Sequence, residues 1–407
     1  MSVELRVGLA GLGAAAYQVV PGFSKVEGVE FTAVADIRPE ALKLFKDKFG
    51  VATFTSVEEM CRKGEVDVVY VATPNHFHAE HTIIAAECGK HVICEKPMAT
   101  TIEEADRMVK TVERCGVRYV QGHSKIHRPS IKAMGQVISS GRLGRVYHIN
   151  TWNYNGWIRV PWEAATLDPK RAGGVVFRQG PHQMDILRYL GGGMVRSVRG
   201  VTGRWYPYFD VEGNYAAFLD FESGVTALMY FSGYGHFTTF EITWDRGESG
   251  AKMPQEVIYG PRRTPTAPVP SEDFYRKLEA TGMKDLERRE AAAAEKGDGA
   301  QDFFGVTIVS CERGDIRQSE HGLYVYTEKG REEIPLPPAS TGRGAPEVAE
   351  IKMSIEENRP VFPDAGWGRA SLEACLAIME SSRERREVYL KYQTSSPVRA
   401  ETRAISA

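Results

Sequence analysis

Cysteine is scarce in this sequence and unpatterned. Cys61, Cys88, Cys94, Cys115, Cys311 and Cys375 are scattered over 407 residues with no CxxC pair. That spacing excludes a disulfide framework and a cysteine zinc site, and reads as reduced, mostly buried thiols. Long apolar runs are missing too: none approaches the ~18 residues of a membrane span. The opening MSVELRVGLAGLG places Glu4 and Arg6 before a short apolar run, which reads as a first strand and not a signal peptide. Neither charge sign dominates. Fifty-one Lys and Arg against 53 Asp and Glu leave a net charge of −2, so nothing favours bulk attraction to nucleic acid or an anionic membrane. No internal repeat is visible. The expectation is a soluble, cytoplasmic protein. Its composition, 42% hydrophobic and 26% charged, is globular, and its length is too great for one ordinary core.

What is present falls into two textures. Up to about residue 125, short β-branched runs alternate with helical patterns: RVGLAGLG, EFTAVADI, DVVYVATP, HVICEKP and VRYVQG read as strands. Ser56 and Glu59 form a capping-box pattern before a short helix. This alternation predicts an N-terminal Rossmann domain over 1–125, with a doubly wound parallel sheet. From there to about 395 the strands alternate with period 2, as in YAAFLDFESGVTALMYFSG and FTTFEITW. They predict a C-terminal α+β domain with a large open, mainly antiparallel sheet. Residues from about 248 to 300 are first Pro-rich and then charged and helical. They read as an inserted arm (a lid or oligomer contact) or as a flexible solvated segment.

Gly11-Leu12-Gly13-Ala14-Ala15-Ala16 is a GxGxxA between an apolar strand and a helix. Gly11 permits the tight turn, Gly13 lets backbone approach a pyrophosphate, and the helix N-terminus through Ala14 and Ala15 faces the phosphates. The next strand ends in Asp36, an acidic side chain suited to the adenosine ribose and repulsive to a 2′-phosphate. That favours NAD over NADP, although Arg38 is placed to pair with such a phosphate. Two further strand ends, ATPNHFHAEH and CEKPMAT, should face the same cofactor, which makes Thr73, Asn75, His78, Glu95 and Lys96 candidate binding residues. Lys96 stands out. Partial desolvation and a neighbouring nicotinamide charge favour its neutral amine, which can exchange a proton with a hydroxyl as hydride moves. The alternative is a surface lysine. His78 and His81 lie three apart on a helix, but no carboxylate or cysteine cluster stands nearby, and no metal is expected.

With GxGxxA at 11–16, TPNHFH at 73–78, EKP at 95–97 and a Gly-Pro-His segment at 180–182, the chain resembles the glucose–fructose oxidoreductase/inositol dehydrogenase (Gfo/Idh/MocA) family. The resemblance implies a Rossmann domain followed by an α/β domain whose open sheet makes oligomer contacts. It also implies hydride transfer between NAD(P) and a hydroxyl-bearing carbon, with Lys96 as the acid/base residue. The family's second-domain motif, GGGxLxDxGxHxxD, matches Ala172-Gly173-Gly174, Gly180, His182 and Asp185 in AGGVVFRQGPHQMDILRYL, a stretch that reads as a strand running into a helix. By the resemblance His182 acts with Lys96 in a proton relay, and Asp185 orients it or serves another polar role.

The motif's inner Asp is replaced by Arg178. A planar guanidinium suits a carboxylate, sulfonate or phosphate, though a structural arginine paired with an acidic neighbour is the competing reading. Upstream, NTWNYNGWIRVPWEA gathers Tyr154, Trp157 and Arg159, a set fitting a charged ring or, equally, an aromatic core. His236 lines the same pocket or caps a solvated turn. Within the family these segments are most similar to the dihydroxyphthalate and phthalate dihydrodiol dehydrogenases, whose substrates are carboxylated cyclic diols. Three functions remain open: an NAD-dependent dehydrogenase of an anionic ring diol or sugar-like molecule; a glycoside hydrolase that oxidises and re-reduces an anionic sugar; and a nucleotide-sensing regulator. The first predicts a homo-oligomer with a small-molecule substrate.

Overall fold

The computed structural model describes residues 4–122, 125–263, 265–294, 299–338 and 343–398. The chain forms two compact units. The first comprises Met1–Ser124, Pro270–Glu295 and Ser340–Leu372, and the second comprises Lys125–Val269, Lys296–Ala339 and Glu373–Ala407.

In the first unit, β1 (Leu5–Ala10), β2 (Val29–Ala35), β3 (Ala52–Phe54), β4 (Val68–Val71), β5 (His91–Cys94) and β6 (Tyr119–Gln121) form a sheet of order β3-β2-β1-β4-β5-β6. Every pairing is parallel. Between the strands run α1 (Ala16–Phe23), α2 (Pro39–Phe49), α3 (Val57–Lys63), α4 (His78–Glu87) and α5 (Ile102–Cys115). β4 is buried along its whole length, as a strand covered on both faces must be. The strand order reverses between β1 and β4, which opens a crevice at their carboxyl ends.

The charged helical run inside the expected arm is one helix, Ser271–Ala294, and it belongs to this unit. Leu286 is buried in the first unit's core, with Leu278 and Met283 packed against it. A methyl group on Gly282 would lie 2.6 Å from the Tyr17 ring of α1. The helix is thus a packed part of the first unit, not a solvated segment. Residues 264 and 295–298 of the arm lie outside the described residues.

The second unit is built on β7 (Val146–Tyr154), β8 (Val195–Gly203), β9 (Asn214–Phe221), β10 (Thr226–Ser232), β11 (Val306–Cys311), β12 (Gly314–Gln318), β13 (Gly322–Thr327), β14 (Gly330–Pro335) and β15 (Val388–Tyr389). Among the described residues they form one sheet, β14-β13-β12-β11-β7-β10-β9-β8-β15, antiparallel throughout except for the β7–β10 pair. One face packs on α6 (Pro129–Ser139), α7 (Val175–Arg178) and α8 (Gly180–Gly191), with Ile149, Ala217, Leu219, Ala227, Met229 and Phe231 in the core. Gln183 fixes α8 to that face: its Nε2 donates to Thr151 Oγ1 and Tyr230 O, and its Oε1 accepts from Tyr215 Oη.

Two local expectations are corrected. VVFR is the short helix α7, not a strand, because Glu212 caps it from a distant loop: its carbonyl accepts from Val175 N and its carboxylate from Val176 N. FTTFEITW holds a 3₁₀ turn over Thr239–Ile242, and left-handed Trp244 and Asp245 (φ 55° and 60°) end any extended run.

Candidate functional site

The glycine turn after β1 is shaped by two different needs. Gly11 has φ +90°, and an added Cβ would lie 2.8 Å from the Thr73 backbone, so the turn after β1 seats directly on the loop after β4. At Gly13 an added Cβ would meet nothing within 4 Å. No protein packing demands a glycine there, and the open space is what a pyrophosphate against the backbone requires. Ala14 and Ala15 follow at the start of α1, which has no side-chain cap of its own. The residues therefore fit the dinucleotide expected from the sequence.

Asp36, after β2, accepts at 2.7 Å from Leu12 N, tying the ribose-side carboxylate to the glycine turn. It also takes Arg38 Nε at 3.0 Å and Arg38 Nη2 at 3.1 Å, and Nη2 donates to Leu12 O at 2.9 Å. Gly11, Leu12, Asp36, Arg38 and Thr73 are thus joined at the carboxyl edge of the sheet.

The other strand ends meet through His78. Its ring bridges two loops, with Nδ1 2.8 Å from Pro97 O and Nε2 2.8 Å from Thr73 O. This buried histidine is spent on holding the loop after β4 against the loop that carries Lys96. Asn75 is buried beside it, and His81 lies 3.0 Å from Thr73 Oγ1, its pKa lowered by burial. Glu95 is buried and accepts from Tyr70 Oη at 3.1 Å. Lys96, directly after it, is half-buried and precedes a cis peptide to Pro97.

In the second unit, Gly174 (φ +92°) turns the chain into α7, and Arg178 ends that helix with Nη2 3.4 Å from Thr166 Oγ1. His182 and Asp185 follow on α8, both buried, and the His182 ring meets Phe304 edge to face at 4.9 Å. Lys125, itself buried and 2.6 Å from Glu248, covers the same Phe304 ring at 5.2 Å. Glu212, whose backbone and side chain cap α7, has its carboxyl pushed up to about 7 by burial. Sequence reading found neither Lys125 nor Glu212, since both reach the motif only through the fold.

A second group gathers around Arg159. Its Nη2 lies 3.0 Å from His236 Nε2 and donates to Tyr234 O. Arg262, from the Pro-rich stretch and also missed, is close enough for Arg159, after burial, to lower its pKa. Trp157 sits in the core and packs on Trp162 at 5.2 Å. Tyr154 shares the outer face of the sheet with Asn150 and Trp152, against Tyr230 and Phe237, whereas α8 packs on the inner face. The sequence offers Tyr154, with Trp157 and Arg159, as a substrate-ring set or an aromatic core, and His182 and Asp185 lie on α8. The period-2 pleat separates Tyr154 from these α8 residues.

Comparison with known proteins joins these observations. The NAD-binding Rossmann-fold model of the Gfo/Idh/MocA oxidoreductase family matches residues 5–123, and the model of that family's C-terminal domain matches 131–249. The chain is 32% identical over 391 residues to 1-carboxy-3-chloro-3,4-dihydroxycyclohexa-1,5-diene dehydrogenase of Comamonas testosteroni, spanning 93% of this chain and 95% of that one. A solved structure from Bordetella bronchiseptica, described as a candidate dehydrogenase, is 34% identical with a TM-score of 0.81, covering 95% of this chain and 100% of that one. Levoglucosan dehydrogenase, solved with NADH and levoglucosan, shares the fold at a TM-score of 0.72 and 20% identity, over 95% of this chain and 99% of that one. With both domains matched and a relative aligned over nearly its whole length, the chain belongs to the Gfo/Idh/MocA oxidoreductases and is an NAD-binding enzyme of that family.

Proposed function

We propose that the protein oxidises a ring hydroxyl of an anionic cyclic diol or sugar-like molecule. The observation that carries this reading is Arg178. Where the family motif has a carboxylate, this chain ends α7 in a guanidinium, four residues before His182. A guanidinium pairs with an anion and cannot act as a base. The full-length relative from Comamonas acts, by its name, on a ring bearing both a carboxyl group and two hydroxyls, the chemistry Arg178 suits. Arg159 and Arg262, with the His236 ring against Arg159, supply a second cationic group to which the same substrate class can present an anion.

NAD supplies the hydride acceptor. Lys96 takes the hydroxyl proton as the carbon–hydrogen bond breaks and the carbonyl forms, and His182 is its partner in the relay, with Asp185 as a further polar group on α8. Gly11, Gly13, Ala14, Ala15, Asp36, Thr73, Asn75 and Glu95 line or support the cofactor. His78 does so indirectly, by holding the loop of Lys96. The enzyme works in the cytoplasm as a homo-oligomer paired through the outer face of its large sheet.

The test is NADH formation from NAD and a panel of carboxylated cyclic diols, sugar acids and sulfonated glycosides, with product mass followed in parallel. One NADH per oxidised diol is expected. Lys96→Ala should lower kcat about 10²- to 10⁴-fold. Arg178→Gln should raise KM roughly ten- to a hundredfold for a carboxylated diol and leave its uncharged amide unaffected, since a hydrogen bond to a charged group is worth about 1.5–3 kcal/mol. Release of an aglycone without net NADH would replace this reading with the hydrolase.

A further inference from the structure

Arg38 is the residue a sequence reader would assign to the 2′-phosphate of NADP, yet the fold commits it elsewhere. The helix Ser271–Ala294 brings Glu279 onto it: Arg38 Nη1 donates to Glu279 Oε1 at 2.9 Å. Tyr275, one turn earlier, lies under the guanidinium, with Arg38 Cζ 4.3 Å from its ring centroid. Tyr275, Glu279, Gly282 and Leu286 follow the i, i+4, i+7, i+11 spacing of one helical stripe. The lower half of that stripe is anchored by Gly282 against Tyr17 and by Leu286 in the core. The upper half is therefore held in place by packing, not by its own ion pair. With Asp36 on its other edge, the guanidinium is clamped between two carboxylates, and the side chains of Asp36, Arg38 and Glu279 are 8%, 20% and 21% exposed.

We propose that Glu279, positioned with Tyr275 by this helix, is a coenzyme-selectivity residue that holds Arg38 in the Asp36 clamp and sets a second negative charge against a 2′-phosphate. The charges decide it. One guanidinium and two carboxylates sum to one negative charge, and a phosphate monoester adds nearly two more at neutral pH. To bind NADP, Arg38 would have to leave two charge-assisted partners at once, whereas the ribose hydroxyls of NAD need no such exchange. Selection against NADP thus comes from a residue 241 positions away in sequence. The inference rests on NAD binding to the first unit and is independent of the substrate proposed above.

The experiment is direct titration of the full chain with NADH and with NADPH, without substrate, for the wild type, Glu279→Gln and Glu279→Ala. Melting curves establish that each variant is folded. Wild type should bind NADH more tightly. Because like charges brought together repel most when desolvated and less at partly exposed sites, Glu279→Gln should tighten NADPH about tenfold. Its NADH dissociation constant should move less than about twofold. Glu279→Ala should shift the ratio the same way. A wild type that binds the two nucleotides equally overturns the proposal. So does a folded Glu279→Gln that weakens both nucleotides together, or a ratio unchanged in both variants.

Discussion

Gly11 and Gly13 look equivalent in the sequence and are opposites in the structure. Gly11 holds a left-handed backbone against the Thr73 loop, so a side chain there is strained in its own conformation and collides with backbone that cannot yield. Gly11→Ala should destabilise the protein by about 1–3 kcal/mol or more before cofactor is considered. Gly13 has no such constraint, since its added Cβ meets nothing. Gly13→Ala should leave stability within about 0.5 kcal/mol of wild type, the range of an uncrowded surface change. It should nevertheless weaken NADH binding, because the space it fills is the one the pyrophosphate needs. Thermal melting and NADH titration on both variants separate the two roles. A Gly13→Ala protein that binds NADH like wild type would remove the pyrophosphate from this turn.

The helix Ser271–Ala294 makes the corresponding argument for a whole element. Its charged composition suggests a solvated arm, but Leu286 is fully buried among first-unit residues. Leu286→Ala should therefore cost about 2–4 kcal/mol in denaturant unfolding, as a large-to-small change in a core does. A free arm would lose almost nothing. The same contrast explains how far the sequence could be read. The strand–turn–helix order of the first unit was legible because β1, the glycine turn and α1 are contiguous, and their pattern is local. The capping pattern at Ser56 was legible for the same reason, and Glu59 N does donate to Ser56 Oγ at 3.1 Å. The α7 stretch reads locally as a strand because two valines and a phenylalanine favour extension. What caps it is Glu212, 36 residues away. Lys125, Arg262 and Glu279 stayed hidden for the same physical reason: each acts on a partner that only the fold brings near. The face of Tyr154, by contrast, is legible locally, since counting the pleat from Asn150 sets both residues on one side of β7.

At the scale of the molecule, the large sheet has the wrong surface for a face left in water. Strand register sets Phe218 beside Leu228 and Arg199, and in the next row Val201 beside Ala216, with Tyr230 and Trp152 following. Both rows lie on the side away from α8, and Val201, Leu228 and Phe218 are 55%, 45% and 42% exposed. An exposed sheet face normally alternates to polar residues, and contiguous apolar area of this kind marks an interaction surface. The occupant we assign is a second copy of the chain, since a twofold axis lets one patch cover itself without a second complementary surface. Replacing both Phe218 and Leu228 with arginine sets like charges against each other across such an axis. Light scattering should then find the wild type at a multiple of the monomer mass and the double variant at the monomer mass. The variant should keep its NADH affinity, because the glycine turn, Asp36 and Arg38 belong to the first unit while the altered face belongs to the second. A monomeric wild type would leave this apolar face without the partner assigned to it. A double variant that stays oligomeric would move the interface elsewhere, and the apolar rows would then have to be explained by a different binding partner.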